Sequence, residues 1–215
     1  MDMDKYIHAD FILVILNCAK YADKRDKQLN TWLKHINIPY FHVIGVGNAP
    51  LDVFDAENKI LYVSAKDDYN SLPAKVIRTY AYIRTHFPNC KYVLKTDDDQ
   101  CLTNVKFLST ICNILMAEST NKYHYGGFVV SVKPHISQYY KIHPELPTNI
   151  LIKETKYCSG RFYFLSQEAI DALLHVKDKV ETEYLEDYAI GYYLPPSLKT
   201  RIFNIPTNKY FTDIY

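Results

Sequence analysis

The sequence predicts an α/β protein with a mixed, mostly parallel sheet flanked by helices. Two observations lead to this class. Short, continuously apolar segments of strand length recur along the chain, and they alternate with longer segments that have apolar residues at helical spacing. Strands that are apolar throughout are expected where helices cover both faces of a sheet. Alternating strands and helices are typical of parallel sheets.

The first half of the chain accounts for most of this prediction. Strands are expected at residues 10–17, 41–46, 60–63 and 91–95, each of which is a short apolar segment. Helices are expected at residues 22–35 and 71–86, the second of which Pro88 would end. Asn104 is a suitable N-cap for a further helix, because apolar residues follow it at helical spacing.

The second half is predicted to be less regular. Residues 123–166 contain short aromatic strands, three prolines and no clear helix, whereas helices are expected at 166–176 and from residue 186 onward. Repeats, low-complexity segments and convincing linkers are absent from the sequence. We therefore expect one domain over residues 1–215.

Composition excludes several classes of function. The formal net charge of +1 argues against nucleic acid or a membrane as the main partner. The five cysteines include no C-x-x-C pair, so a zinc site is not expected and the thiols are expected to be reduced. The apolar segment 11–16 is too short to span a bilayer, and acidic residues precede it, unlike the start of a signal peptide. No targeting or transmembrane segment is therefore expected.

The acidic triplet Asp97, Asp98 and Asp99 directly follows an apolar strand. In α/β sheets, ligands collect at the carboxyl ends of the strands. Adjacent carboxylates repel one another unless a cation lies among them, and magnesium is typically bound by one or two carboxylates and substrate phosphates. The triplet therefore predicts a metal–diphosphate site for an activated nucleotide, with a solvated acidic turn as the alternative.

Glu186 and Asp187 form a second acidic cluster at the start of a predicted helix. Acidic residues are common there, because the helix dipole favours them. The functional alternative is a general base that activates an acceptor hydroxyl while the triplet holds the metal and leaving group. In residues 157–160, Gly160 would let the backbone approach a ligand, although a tight turn before a strand is favoured for this segment alone.

Six segments together resemble glycosyltransferase family 31, the β-1,3-galactosyltransferase, N-acetylglucosaminyltransferase and Fringe-like group. Residues 87–99 with Asn104 are similar to its C-P-x-A-K-Y-V-x-K-x-D-D-D-x-x-x-x-N core. Residues 157–160 match its Y-C-S-G, and residues 186–191 resemble its E-D-V-x-x-G. Looser matches are 24–32 (R-x-T-W, with Leu29 for an Arg), 41–45 (F-x-x-G) and 67–75 (D-x-Y-x-N-L-x-x-K, with Ser71 for Asn). Order and spacing agree from about residue 11 to 194.

The resemblance implies a GT-A fold, the Rossmann-like nucleotide-sugar transferase architecture. Residues of about 10–105 would form the nucleotide-sugar-binding half, and residues of about 106–215 the acceptor-side half. It also implies an inverting enzyme that uses a divalent metal, Mn²⁺ or Mg²⁺. Such an enzyme would move a hexose or N-acetylhexosamine from a UDP-sugar donor to a hydroxyl of a glycan acceptor, in β-1,3 linkage.

The resemblance also assigns roles to individual residues. Asp187 would be the catalytic base, and Glu186 would position that base or the acceptor. Asp99 would bind the metal, with Asp97 beside it. The remaining implied contacts are to the donor: Asp97 and Asp98 at the ribose and metal-water side, and Lys75, Arg25 and Asn17 at the base, ribose or diphosphate.

One departure from the family keeps alternatives open. Many relatives supply a late histidine to the metal, whereas this chain has no histidine after His175. Asn204, Asn208 or a water would take that place. The alternatives are a catalytically inactive relative that binds a glycan or partner, and another metal-dependent nucleotide transferase. The expected location is soluble and cytoplasmic, or otherwise that of a Golgi-type luminal domain without its anchor.

Overall fold

A computed structural model describes residues 3–117 and 122–214 of the chain. Most of its strands belong to one central sheet. In chain order the strands are β1 (Phe11–Leu16), β2 (Tyr40–Gly45), β3 (Val53–Asp55), β4 (Ile60–Val63), β5 (Tyr92–Asp97), β6 (Gln100–Leu102), β7 (Tyr125–Val132), β8 (His135–Ile136), β9 (Leu151–Ile152), β10 (Thr155–Ser166), β11 (Ile202–Asn204) and β12 (Phe211–Asp213). The eight-stranded sheet has the order β11-β7-β10-β5-β1-β2-β4-β3, and β12-β6 and β8-β9 form separate pairs.

Helices pack on the sheet and bury its apolar side chains. They are α1 (Asp4–Ile7), α2 (Ala22–Asn30), α3 (Leu72–His86), α4 (Lys106–Ala117), α5 (Gln167–Leu174), α6 (Lys177–Glu181) and α7 (Glu186–Tyr193). None of the helices in the described part of the chain has the length and hydropathy needed to cross a membrane.

The sheet confirms the predicted fold class. Strands β5, β1, β2 and β4 run parallel, while β10 pairs antiparallel with β5 and with β7. All six residues of β1 are buried. Ile12 and Val14 belong to the core on one face, and Leu13 and Ile15 to the core on the other. Burial on both faces explains why this strand has no polar alternation.

Two predicted elements end at different residues in the structure. The helix expected at 22–35 ends at Asn30, and residues Leu33–His35 form a separate 3-10 turn. Trp32 and Leu33 are both almost fully buried, so the chain leaves the helix and turns these side chains into the core. Strand β5 extends to Asp97, two residues beyond the predicted end, and Asp97 pairs with Leu16 of β1.

The region 123–166 is more regular than predicted. Strand β7 has eight residues and β10 has twelve, so these strands are not short. The interpretation of residues 157–160 as a tight turn was wrong, because they lie inside β10. The register of β10 against β7 shifts between Cys158 and Tyr163, as in a β-bulge. Bulges commonly redirect the chain at functional sites, and this one carries Gly160.

Candidate active site

A cleft of about 410 Å³ lies at the carboxyl ends of the parallel strands. Its walls also include the irregular part of β10 and the start of α7. Seven of the eight residues predicted for the site line it: Asn17, Lys75, Asp97, Asp98, Asp99, Glu186 and Asp187. Arg25 is not among the lining residues, and its Nε lies 3.8 Å from Oδ1 of Asp26. The structure thus brings the two acidic clusters together.

The acidic triplet is held by different partners at each position. Asp97 lies 2.7 Å from Nζ of Lys95. Asp98 accepts a hydrogen bond from Nδ2 of Asn17 at 2.8 Å, and Nζ of Lys24 lies 3.6 Å away. Burial raises the pKa of both Asp97 and Asp98 to about 6, against the opposing effects of Lys95 and Lys24. Asp99 accepts a hydrogen bond from Nε2 of Gln100 at 2.8 Å.

Lys95 connects the two acidic clusters. Its ammonium lies 2.7 Å from Asp97 and 3.1 Å from Glu186, and it donates to the carbonyl of Gly160 at 2.9 Å. Only 1% of the side chain is exposed. Although burial alone would lower the pKa of Lys95, Asp97 and Glu186 hold it above its usual value. We did not single out this residue from the sequence, although a lysine in an apolar strand indicates a paired charge.

The two residues of the second cluster have different environments. Glu186 is buried and accepts hydrogen bonds from Lys95 and from the hydroxyl of Tyr163. Asp187 is half-buried and faces the cleft. Its Oδ2 accepts from the amide of Gly160 at 2.9 Å, and its Oδ1 from the amide of Tyr188 at 2.7 Å. Burial raises the pKa of both carboxyl groups. Each oxygen of Asp187 keeps capacity for a further proton or hydrogen bond.

Lys75 supports the strand ends beneath the cleft. It is 1% exposed and donates to the carbonyl of Asn17 and to Oδ1 of Asp67 at 2.7 Å. Asp67 also accepts from the amides of Ala19 at 2.7 Å and Gly45 at 3.0 Å. Although burial opposes it, these hydrogen bonds lower the pKa of Asp67. Asp67 thus joins three segments, a role that the sequence did not indicate.

Asn17 lines the cleft and has one unsatisfied side-chain atom. The residue is 3% exposed, and its Oδ1 is buried without a hydrogen-bond partner in the described structure. Leaving such an acceptor unpaired costs free energy.

The opposite wall of the cleft is aromatic. Tyr69, Tyr139, His143 and Tyr157 line it. The ring of Tyr69 stacks on His143 with centroids 3.8 Å apart and planes 16° apart. This contact joins the segment after β4 to the segment between β8 and β9, and the sequence spacing gives no sign of it.

The acidic triplet fits a divalent cation by its chemistry. Across residues 3–117 and 122–214, no group of three or more His, Cys, Asp or Glu side chains is arranged to hold a metal. Carboxylate oxygens are the hard ligands that Mg²⁺ and Mn²⁺ prefer, and magnesium usually takes only one or two of them with substrate phosphates. The donor set therefore fits a metal bound jointly with a nucleotide. Neither Asn204 nor Asn208 is among the described cleft residues.

Comparisons with known proteins show which family the chain resembles. The galactosyltransferase family profile matches residues 23–200. The chain is 30% identical over 187 residues to UDP-GalNAc:beta-1,3-N-acetylgalactosaminyltransferase 1 of Homo sapiens, covering 84% of this chain and 48% of that protein. It is 25% identical over 209 residues to the Rattus norvegicus protein of the same name, covering 83% and 58%. The chain therefore spans about half the length of these relatives.

A solved structure supports the fold. The chain superposes on a glycosyltransferase involved in the glycosylation of the major capsid of PBCV-1 with a TM-score of 0.50. The match covers 92% of this chain and 82% of that chain at 11% sequence identity. The expectation of a GT-A fold, with its mostly parallel sheet flanked by helices, is confirmed.

Proposed function

Because the chain belongs to the galactosyltransferase family, we propose that it transfers a sugar from a UDP-sugar to a hydroxyl of a glycan acceptor. The donor sugar is a hexose or N-acetylhexosamine, and UDP-N-acetylgalactosamine is the first to test because the relatives above are named for it. The transfer inverts the configuration of the sugar carbon and forms a β-1,3 linkage.

The observation that carries this proposal is the placement of Asp187 in the same cleft as the acidic triplet. An inverting transfer needs a base on the opposite side of the sugar carbon from the leaving group. The two acidic clusters provide separate groups for these tasks, and Lys95 holds them at a fixed spacing. The position of Asn17 in the cleft lining, where it donates a hydrogen bond to Asp98, supports a ribose or base contact at the donor end.

Asp187 removes the proton from the acceptor hydroxyl. The hydroxyl oxygen forms a bond to the sugar carbon while the bond from that carbon to the diphosphate oxygen breaks, and the electron pair leaves with UDP. Asp187 suits this role better than Glu186, because Lys95 and Tyr163 already occupy the Glu186 carboxylate. Loss of a general base costs roughly 10²- to 10⁴-fold in rate.

Asp99 and Asp97 would hold the divalent cation, Mn²⁺ or Mg²⁺, which when bound neutralises charge on the diphosphate. Asp98 and Asn17 would contact the ribose side of the donor. Lys75 acts indirectly, since its ammonium is committed to Asp67 and to the carbonyl of Asn17.

The test measures UDP released from UDP-N-acetylgalactosamine, UDP-galactose and related donors, with Mn²⁺ and with a chelator. Wild-type protein is expected to release UDP from one of them in a metal-dependent manner. Asp187→Asn should lose transfer about 10²-fold or more while still binding UDP in calorimetry. Asp99→Asn should lose the metal-dependent binding of UDP.

Asp10→Asn is the matched control, because Asp10 forms a surface ion pair with Lys91 away from the cleft. Normal transfer by Asp187→Asn would disprove the assignment of the base. Release of pyrophosphate or UMP would favour a different nucleotide transferase. Binding of glycans without any turnover would favour an inactive relative.

A further inference from the structure

The aromatic wall of the cleft comprises Tyr69, Tyr139, His143 and Tyr157. Three of its rings are aligned. Tyr69 and His143 stack at 3.8 Å, and Tyr139 is nearly parallel to His143, with centroids 6.5 Å apart and planes 6° apart. Aligned rings from two separate segments form an apolar surface that is fixed before a ligand binds. A preformed surface loses little entropy on binding.

This wall is open to solvent. Tyr139 is 47% exposed, and the other three side chains are partly exposed. Aromatic rings that serve only packing are usually covered, whereas half-exposed rings inside a concave site are typical of ligand contacts.

The wall faces Asp187. Burial is the main cause of the raised pKa of Tyr69, Tyr139 and Tyr157, and the Asp187 carboxylate raises the pKa of all three further. Tyr69, Tyr139 and Tyr157 line the same cleft as Asp187, and the ring of Tyr157 contacts the ring of Tyr188, the residue after Asp187. A molecule on the wall therefore lies next to the base.

The ionisable groups beside the wall are mainly acidic. Asp68, Glu145 and Asp187 line the same cleft as the wall, whereas Glu186 is already paired with Lys95. Most of the cations that line the described cleft are in ion pairs or hydrogen bonds with carboxylates: Lys24 with Asp98, Lys75 with Asp67, Lys95 with Asp97 and Glu186, and Arg161 with Asp213. Lys20 lies over the ring of Tyr21, at 4.8 Å. In the absence of a bound cation, the aromatic wall thus disfavours an anionic group.

Building on the proposed function, we propose that the aromatic wall is the acceptor subsite and that it receives an uncharged pyranose. A pyranose has C–H faces that pack on aromatic rings and hydroxyl edges that hydrogen-bond. The tyrosine hydroxyls and Glu145 are the polar groups available to those edges. One hydroxyl of the sugar would then lie at Asp187, where it becomes the nucleophile.

The test uses the methyl glycosides of galactose, glucose, N-acetylglucosamine and N-acetylgalactosamine as acceptors. Tyr139→Ala should raise the acceptor KM about 3- to 10-fold and raise it more than the donor KM. Tyr139→Phe keeps the ring and should retain most of the affinity. Tyr184→Ala is the matched control, because Tyr184 is 36% exposed and is not among the cleft residues. His143→Ala, which removes the central ring, should resemble Tyr139→Ala.

Saturation-transfer NMR of the same glycosides provides a second readout that does not depend on turnover. If wild-type protein releases UDP but Tyr139→Ala and Tyr184→Ala have equal acceptor KM, the subsite is wrong and the proposed function stands. If the protein binds glycosides through Tyr139 without releasing UDP from any donor, the subsite stands and the transferase is wrong. Absence of both binding and UDP release would overturn both.

The charge of the acceptor is tested with one matched pair. Methyl glucoside and methyl glucuronide differ in a carboxylate at the same ring position. The neutral glycoside should bind at least about tenfold more tightly, because two like charges within a cleft repel. Equal or tighter binding of the glucuronide would overturn the preference for an uncharged pyranose.

Discussion

At the scale of single residues, Lys95 fixes the position of the acidic triplet relative to the Glu186–Asp187 cluster, because it contacts a carboxylate of each. An ammonium buried among Asp97, Glu186 and the carbonyl of Gly160 is fully compensated. Removing one partner of a buried ion pair is costly, because the remaining charges stay desolvated. The structure therefore makes Lys95 a positioning residue for both clusters.

Lys95→Met is expected to lower the free energy of unfolding by about 3–5 kcal/mol and to reduce transfer strongly. Urea unfolding and UDP release measure the two effects. The double variant Lys95→Met/Glu186→Gln should be less destabilised than the sum of the single variants, because it removes the buried carboxylate that Lys95 leaves behind. Lys91→Met is the control, since Lys91 is half-exposed. Strict additivity in the double variant would contradict the coupling.

His42 makes the folded state sensitive to acid. It is fully buried on β2, and its Nε2 lies 3.1 Å from Oε1 of Gln28. Burial, together with the charges of Arg25 and Lys59, lowers the pKa of His42 to about 3. In the unfolded chain the pKa is near 6.5. Because the folded value is lower, the neutral form contributes its full stability above pH 6.5, and that stability is lost as the pH falls toward 3.

Between pH 6.5 and 5.5 we expect wild-type protein to lose about 1 kcal/mol of unfolding free energy relative to His42→Gln. Urea unfolding at several pH values gives both slopes, and the difference between them isolates His42 from the carboxylates that titrate in both proteins. Parallel slopes would show that the pKa of His42 in the folded protein equals its value in the unfolded chain.

At the scale of secondary structure, the position of α7 depends on Gly191. A Cβ atom at this position would lie 2.2 Å from Cβ and 2.6 Å from Cα of Tyr157. Helix α7 therefore packs directly on the backbone of β10, and this contact sets the distance from Asp187 to the bulge at Gly160.

Gly191→Ala has two opposing effects on the free energy of unfolding. Alanine favours a helix by about 1 kcal/mol over glycine, whereas a clash with fixed backbone costs about 1–3 kcal/mol and moves the helix. We expect net destabilisation in urea and a loss of transfer, because Asp187 moves with α7. Gly160→Ala is the comparison for stability, since its Cβ would meet nothing closer than 3.4 Å. A Gly191→Ala protein more stable than wild type would show that the two elements separate easily.

Elements that depend on local sequence were the ones predicted well. Strand β4 and helix α3 agree with the prediction to within one residue, because each is an apolar segment with clear boundaries. Helices α1 and α6 and the three-residue strands β3, β6, β11 and β12 were not predicted. Such short elements exist through contacts with distant parts of the chain, as when β6 pairs with β12. No local pattern encodes such a pairing.

At the scale of the whole molecule, the cleft also combines residues that a local sequence pattern reveals with residues that depend on contacts with distant parts of the chain. The acidic triplet and Asp187 could be found from the sequence because each has a local motif. Lys95, Asp67 and the stack of Tyr69 on His143 could not, because each acts through partners far along the chain. The prediction therefore gave the groups proposed here to react, while the groups that hold them in place required the folded structure.

The pairing of β12 with β6 places opposite ends of the described chain on opposite sides of the molecule. The amide of Ile214 donates to the carbonyl of Asp99 at 2.6 Å, next to the acidic triplet. Helix α1 lies at the opposite, amino ends of the parallel strands, where Tyr6 donates to the carbonyl of Tyr40 at the start of β2. A fluorophore attached near Ile214 would thus report on donor occupancy. An attachment near Asp4 would immobilise the protein on a sensor surface with the cleft facing the solution.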